Sequence, residues 1–150
     1  KSLVAFGSEH KFALKVVRSP TEDSEWCVYL KGAPERVWDK CSKILLGGKD
    51  AALDKTQFAK IEEANIYFAK NGQRVLGLAR YHLPKSQYPA DHKFDFKGFS
   101  DLDIRLDSMT FIGLLSLIDP PRESVPSAIK KCKTAGIKVI MVTGDNKITA

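Results

Sequence analysis

Between Lys1 and Leu117 the apolar positions fall in short runs broken by turn-forming residues, the pattern of a strand-rich unit with two helices. "LVAF" and "KFALKVV" flank the polar loop "GSEH" as a hairpin would. "SPTEDSE" is a polar turn before Trp26 to Leu30, an aromatic and β-branched run that predicts a strand. Gly32 then allows a tight turn. Pro34 and Glu35 suit a first helical turn, because proline lacks an N–H that would be orphaned there and glutamate complements the helix dipole. Val37, Trp38 and Cys41 follow at helical spacing. "KILLGGKDAAL" reads as a short strand with a Gly-Gly turn. Asp54 predicts a cap for a helix over about 55–70, with the stripe Phe58, Ile61, Ala64, Ile66 and Phe68, and Asn71-Gly72 ends it. "RVLGLARYHL" predicts a buried strand, 84–107 a long surface loop, and "MTFIGLLSLI" another strand.

After Ile118 the pattern changes. "DPPR" is a stiff junction, since consecutive prolines cannot enter a regular ladder. A capped helix from about Ser124 to Ala135 leads through Gly136 to the wholly apolar strand "IKVIMV" and the small polar loop "TGDN". That order is one α/β unit of a parallel sheet, in which ligands bind beyond the carboxyl ends of strands. The expectation is an α+β unit over 1–118 and the start of an α/β unit over 119–150.

Composition narrows the class. A 43% hydrophobic and 28% charged content suffices for a sizeable core. The longest apolar stretch, Met109 to Ile118, is about half of what a membrane-spanning helix needs, and no targeting signal is visible. Cys27, Cys41 and Cys132 fit neither a disulfide framework nor a metal-ligand spacing, and read as reduced thiols. The net charge of +6 points to an anionic partner. The lysines are scattered, with no basic block and no basic–aromatic RNA-binding signature, which disfavours nucleic acid. The chain opens without methionine directly into a strand-like run and stops where a helix starts, so a piece of a longer protein is expected.

Three features carry candidate chemistry: Lys31 at a strand end beside Gly-Ala-Pro, Arg74 before an apolar strand, and "TGD" after a buried strand. A threonine hydroxyl and a loop amide can hold a phosphoryl oxygen, and a nearby carboxylate can act through Mg²⁺. Each is weak alone. In order, however, "KGAPERV", "QRVLGLA", "FIGLLSLIDPPRESVPSAI" and "AGIKVIMVTGDNKITA" resemble the cytoplasmic head of P-type cation-transporting ATPases of the type II group. The resemblance covers nearly the whole chain and is most specific at Lys31 to Pro34 and from Asp119 to Ala150. "KGAPERV" and "RVLGLA" are closer to the sodium/potassium and proton/potassium pumps, "TGDNK" to the calcium pump form.

The resemblance implies that 1–118 is most of a nucleotide-binding domain, a twisted antiparallel sheet flanked by helices. It implies that 119–150 is the hinge and start of a haloacid-dehalogenase-like phosphorylation domain. It makes Phe6 the adenine-stacking residue and Lys11 a lysine facing the nucleotide. Lys31, Gly32 and Ala33 become the adenine pocket, with the two small residues leaving room for the base. Arg74 becomes the arginine at the phosphates. Asp119, Pro120, Pro121 and Arg122 match the hinge, and Thr143, Gly144 and Asp145 the phosphate-side loop. Ala13 departs from the family, standing where a larger residue helps close the pocket. The "DKTGT" and "GDGVND" segments do not occur in these 150 residues. The chain is therefore expected to bind ATP or ADP without turnover. In the full-length protein, a cytoplasmic domain of an integral membrane pump, it would serve Mg²⁺-dependent phosphoryl transfer to an aspartate elsewhere. Its partners there would be the actuator, phosphorylation and transmembrane domains. The competing reading is a basic interaction module for nucleic acid or another anionic partner.

Overall fold

The computed structural model describes residues 3–19, 25–118, 120–144 and 148. Among the described residues, seven strands and three helices follow one another as β1 (Leu3–Val4), β2 (Phe12–Arg18), β3 (Trp26–Gly32), α1 (Pro34–Trp38), β4 (Cys41–Leu46), β5 (Lys49–Ala52), α2 (Lys55–Lys70), β6 (Arg74–His82), β7 (Met109–Leu117) and α3 (Ser124–Thr134). The strands form one sheet in the order β1-β2-β3-β6-β7-β4-β5. All neighbours are antiparallel except β4 and β7, which run parallel, so the sheet is mixed rather than wholly antiparallel. This is an α+β architecture.

Alternation along the strands decides what lies on each face. Phe12, Leu14 and Val16 on β2, Val28 and Leu30 on β3, Ala79 on β6 and Phe111 on β7 are buried on the face that also receives α1 and α2. α1 comes so close that a Cβ on Gly77 would stand 3.1 Å from Pro34 and Val37. The opposite face carries Ala13, Lys31 and Leu78 in one cross-strand row and Lys15, Tyr29 and Arg80 in the next. On it, Arg80 Nη2 donates to Asp50 Oδ1 at 2.9 Å and Thr110 Oγ1 donates to Asp50 Oδ2 at 2.8 Å, tying the edge hairpin β4–β5 to β6 and β7. Burial alone would raise the Asp50 carboxyl. The Thr110 hydroxyl and the Arg80 guanidinium outweigh it and hold Asp50 below the usual carboxylate range.

α2 has the bounds that its signals predict. Gln57 N donates to Asp54 Oδ1 at 2.8 Å at its start, and Asn71 closes its end. Ile61 and Ala69 are its buried positions.

Four expectations are corrected. Cys41 is not helical. α1 ends at Trp38, and Cys41 opens β4 because it pairs with Met109 of β7; the sheet captures the chain before a second helical turn can form. The 84–107 segment has no regular element, but it is no mere surface loop: Phe96, Ile104 and Leu106 are buried in the core. No side chain caps α3, and α3 buries no residue. "IKVIMV" forms no strand, and Val142 is 93% exposed. A parallel strand exists only through its neighbours' hydrogen bonds, and none of the described residues pairs with it.

Candidate functional site

At one end of the sheet a cavity of about 570 Å³ opens where five pieces of chain meet. The β1–β2 loop contributes Phe6, Ser8 and Lys11, and the β3–α1 junction contributes Ala33, Pro34 and Glu35. α2 offers Asn65 and Ala69, and the start of β6 offers Arg74, Val75 and Leu76. Gly144 and Ile148 complete the lining.

Local physics explains how these residues arrive there. Phe6 is 63% exposed, so its ring is not serving the core. Lys11 has a left-handed backbone, φ 58°, uncommon for a residue with a Cβ. Its N–H donates to the Gly7 carbonyl at 2.7 Å, and its carbonyl accepts from Ala33 N at 2.9 Å. The second bond joins the β1–β2 loop to the β3–α1 junction and holds Lys11 and Ala33 together. Pro34 opens α1, as expected of a residue without an N–H. Arg74 follows one residue after the Asn71-Gly72 stop of α2, which delivers it to the cavity at the first position of β6.

Phe6, Lys11, Ala33, Arg74 and Gly144 therefore meet at one cavity, whereas Lys31, Gly32 and Thr143 do not line it. Lys31 is exposed, and by strand alternation it shares a sheet face with Arg74 and Leu76. Gly32 is buried, and a Cβ there would collide with the Lys11 carbonyl oxygen and with Phe12. Its missing side chain makes room for β2. Pro120, Pro121 and Arg122 are exposed between β7 and α3 and do not line the cavity. Asp119 and Asp145 lie outside the described residues.

Sequence reasoning missed Ser8, Glu35 and Asn65. Asn65 lies on one line of α2 with Ile61 and Ala69, but only the structure shows that this line faces the cavity. Glu35 read only as a partner of the helix dipole.

The wall thus combines one exposed aromatic ring, the cations of Lys11 and Arg74, the Glu35 carboxylate and small or aliphatic residues. Such a wall can take a flat ring joined to an anionic tail. Cysteine chemistry plays no part in it: burial pushes the Cys27 thiol up and the Cys41 thiol to about 12, so neither is a thiolate near neutral pH. Among the described residues no three His, Cys, Asp or Glu side chains could hold a metal ion, and no helix is long and apolar enough to cross a membrane.

Comparison with known proteins decides the family. The model of the family described as P-type ATPase, cytoplasmic domain N, matches residues 1–124. This chain belongs to the P-type ATPases. It is 43% identical over 148 residues to the sodium/potassium-transporting ATPase subunit alpha-3 of Homo sapiens, which covers 98% of this chain and 14% of that protein. It is 41% identical over 148 residues to the potassium-transporting ATPase alpha chain 2 of Oryctolagus cuniculus, covering 98% of this chain and 13% of that protein. With the sodium/potassium-transporting ATPase subunit alpha-2 of Bos taurus the identity is 42% over 147 residues, covering 98% and 14%. This P-type ATPase chain therefore spans only a small part of the length of the curated relatives it matches.

Proposed function

We propose that this chain is the nucleotide-binding part of the catalytic head of an ATP-driven cation pump, running from residue 119 into the start of a haloacid-dehalogenase-like phosphorylation domain. The observation that supports this reading best is the convergence of exposed Phe6 with Lys11 and Arg74 on one cavity, in a chain of this family. A volume of about 570 Å³ lies within the usual range for small-molecule sites. The donors suit ATP or ADP: a base needs a π-face and small neighbours, and a polyphosphate needs cations. Phe6 supplies the face and Ala33 the space. The planar guanidinium of Arg74 can grip two phosphate oxygens at once, and Lys11 adds a point charge. Lys31, outside the cavity lining, is assigned as a positive charge on the base side, from the face it shares with Arg74 and Leu76. Ala13, directly across from Lys31 on β2, leaves that side open and keeps affinity low.

Thr143, Gly144 and Asp145 are assigned to the phosphate side, and Asp119, Pro120, Pro121 and Arg122 to the hinge. ATP, when bound, supplies the phosphoryl group; the residues of this chain bind and orient it. Mg²⁺ accompanies the nucleotide and is assigned no ligand here. The "DKTGT" acceptor segment is not among these residues, so the chain binds without hydrolysing. In the whole protein the transfer would drive cation transport across a membrane, with this head on the cytoplasmic side and the actuator, phosphorylation and transmembrane domains as its partners.

Titration calorimetry of the 150-residue chain tests the reading. Saturable ATP binding in the high-micromolar to millimolar range is expected, about 4–6 kcal/mol, with no phosphate released. No saturation, or equal displacement of a fluorescent nucleotide by ATP and by oligonucleotides, overturns it.

A further inference from the structure

Phe6 and Lys11 stand at the two ends of the β1–β2 loop, and the residues between them are Gly7, Ser8, Glu9 and His10. Glycine and small polar residues do not fix a separation by themselves, yet a ligand held by both ends needs one. Besides the bond from Ala33 N to the Lys11 carbonyl, the loop meets the body of the domain at His10. Its ring stacks on Phe99 at 5.5 Å and 24° and tilts against Phe12 at 4.8 Å. Phe12 and Phe99 in turn meet edge to face at 5.1 Å, and the Lys40 ammonium lies over both rings at 5.4 and 5.6 Å. Phe12 is buried in the core, so the stack is anchored.

From that anchor His10 reaches back into its own loop. Its Nε2 lies 3.4 Å from the Ala5 carbonyl oxygen, within reach of a long hydrogen bond from the Nε2–H tautomer. Gly7 lies under the ring, where any Cβ would collide with His10 Cε1. The same Gly7 carbonyl accepts from Lys11 N and so helps hold the left-handed turn at Lys11. His10 thus fixes both limbs of the loop, the one carrying Phe6 and the one carrying Lys11.

We infer that His10 is a positioning residue: it locks the β1–β2 loop onto the Phe12–Phe99 stack and thereby sets the distance between the base-side ring and the phosphate-side cation. It does not line the cavity, and it acts through Phe6 and Lys11. The inference rests on the proposed nucleotide site. It also gives the 84–107 segment, through Phe99, a hold on ligand affinity from outside the cavity.

The test uses His10→Ala, the rescue His10→Phe and, should His10→Ala fail to fold, Phe99→Ala. His10→Ala should bind ATP about tenfold more weakly at a melting temperature near that of the parent chain, and His10→Phe should recover most of the loss, because stacking is what it retains. In a Phe6→Ala, Lys11→Met background His10→Ala should cost nothing further. A second readout needs no nucleotide: the Lys11 amide should exchange hydrogen about tenfold faster in His10→Ala and return towards the parent rate in His10→Phe. Unchanged affinity in a folded variant, the same loss in the double-variant background, or unchanged exchange at Lys11 overturns the inference. If the parent chain binds no ATP, the proposed site fails, while the exchange measurement still decides whether His10 holds the loop.

Discussion

Replacing Gly32 with alanine puts a methyl group where the Lys11 carbonyl oxygen and Phe12 already stand. Neither can yield cheaply. Phe12 is 2% exposed, and its Cα sits directly opposite Gly32 in the β2–β3 ladder. The Lys11 carbonyl accepts from Ala33 N, so moving it breaks that bond as well. Overpacking of this kind costs about 1–3 kcal/mol, and the lost hydrogen bond about another 1 kcal/mol. The sum, about 2–4 kcal/mol, lowers the melting temperature by roughly 4–16 °C for a chain of this size. Circular dichroism melts of Gly32→Ala against the parent chain, followed by ATP calorimetry on whatever remains folded, separate two explanations of this glycine. If Gly32 is small for the sake of β2, the melt falls by that amount. If it is small for the sake of a bound base, the melt stays within about 2 °C and only ATP affinity drops; that result would refute the steric argument.

Further outcomes follow from the same geometry. Phe6→Ala should weaken ATP, ADP and AMP by similar factors with little change in salt dependence, since stacking on a base is worth about 1–3 kcal/mol whatever the phosphate count. Arg74→Ala should weaken ATP and ADP more than AMP and flatten the salt dependence of ATP binding; equal proportions for both variants in calorimetry would refute the division of roles. Lys31 should react with an amine-directed reagent ahead of most lysines and be protected by ATP, as read by mass spectrometry, and unprotected labelling would make it a surface charge only. Asp50 is held below its ordinary pKa, so its stabilising contribution is present above the unfolded carboxylate value near 3.9 and fades as pH falls through the lower folded value. Melting temperatures of Asp50→Asn and the parent should therefore differ at pH 7 and converge below about pH 4, and a constant gap would count against it.

Elements whose signals are local could be read from the sequence. α2 lies between a carboxylate cap and an Asn-Gly stop, both set by residues within a few positions of the helix end. β2 and β3 alternate clearly because one of their faces is buried. What sequence could not supply was pairing at a distance. Nothing near Cys41 announces that it will lie beside Met109, so helical spacing through Val37 and Trp38 misled. The aromatic residues of 84–107 fit a surface loop as well as a core cover until Trp26, in edge-to-face contact with Phe94 at 5.1 Å, gives them a surface to pack on. The site divides in the same way. Phe6, Lys11, Ala33 and Arg74 were named because motifs in a known order carry them. Glu35 and Asn65 were not, since a wall residue is identified by what it faces.

The parallel pairing of β4 with β7 has a consequence for the order of assembly. β4 and β5 can zip together as soon as the Gly47-Gly48 turn exists, but the other side of β4 waits for a strand about seventy residues further along the chain. At about 5–20 residues per second, a ribosome leaves that edge open for several seconds, long enough for the hairpin to meet a wrong partner. The hairpin cannot dock on β7 before β7 is made, and the Asp50 clasp with Arg80 and Thr110 can close only when it does. Substitutions that weaken the clasp should therefore lower the yield of soluble chain during synthesis more than they lower the stability of chain already folded.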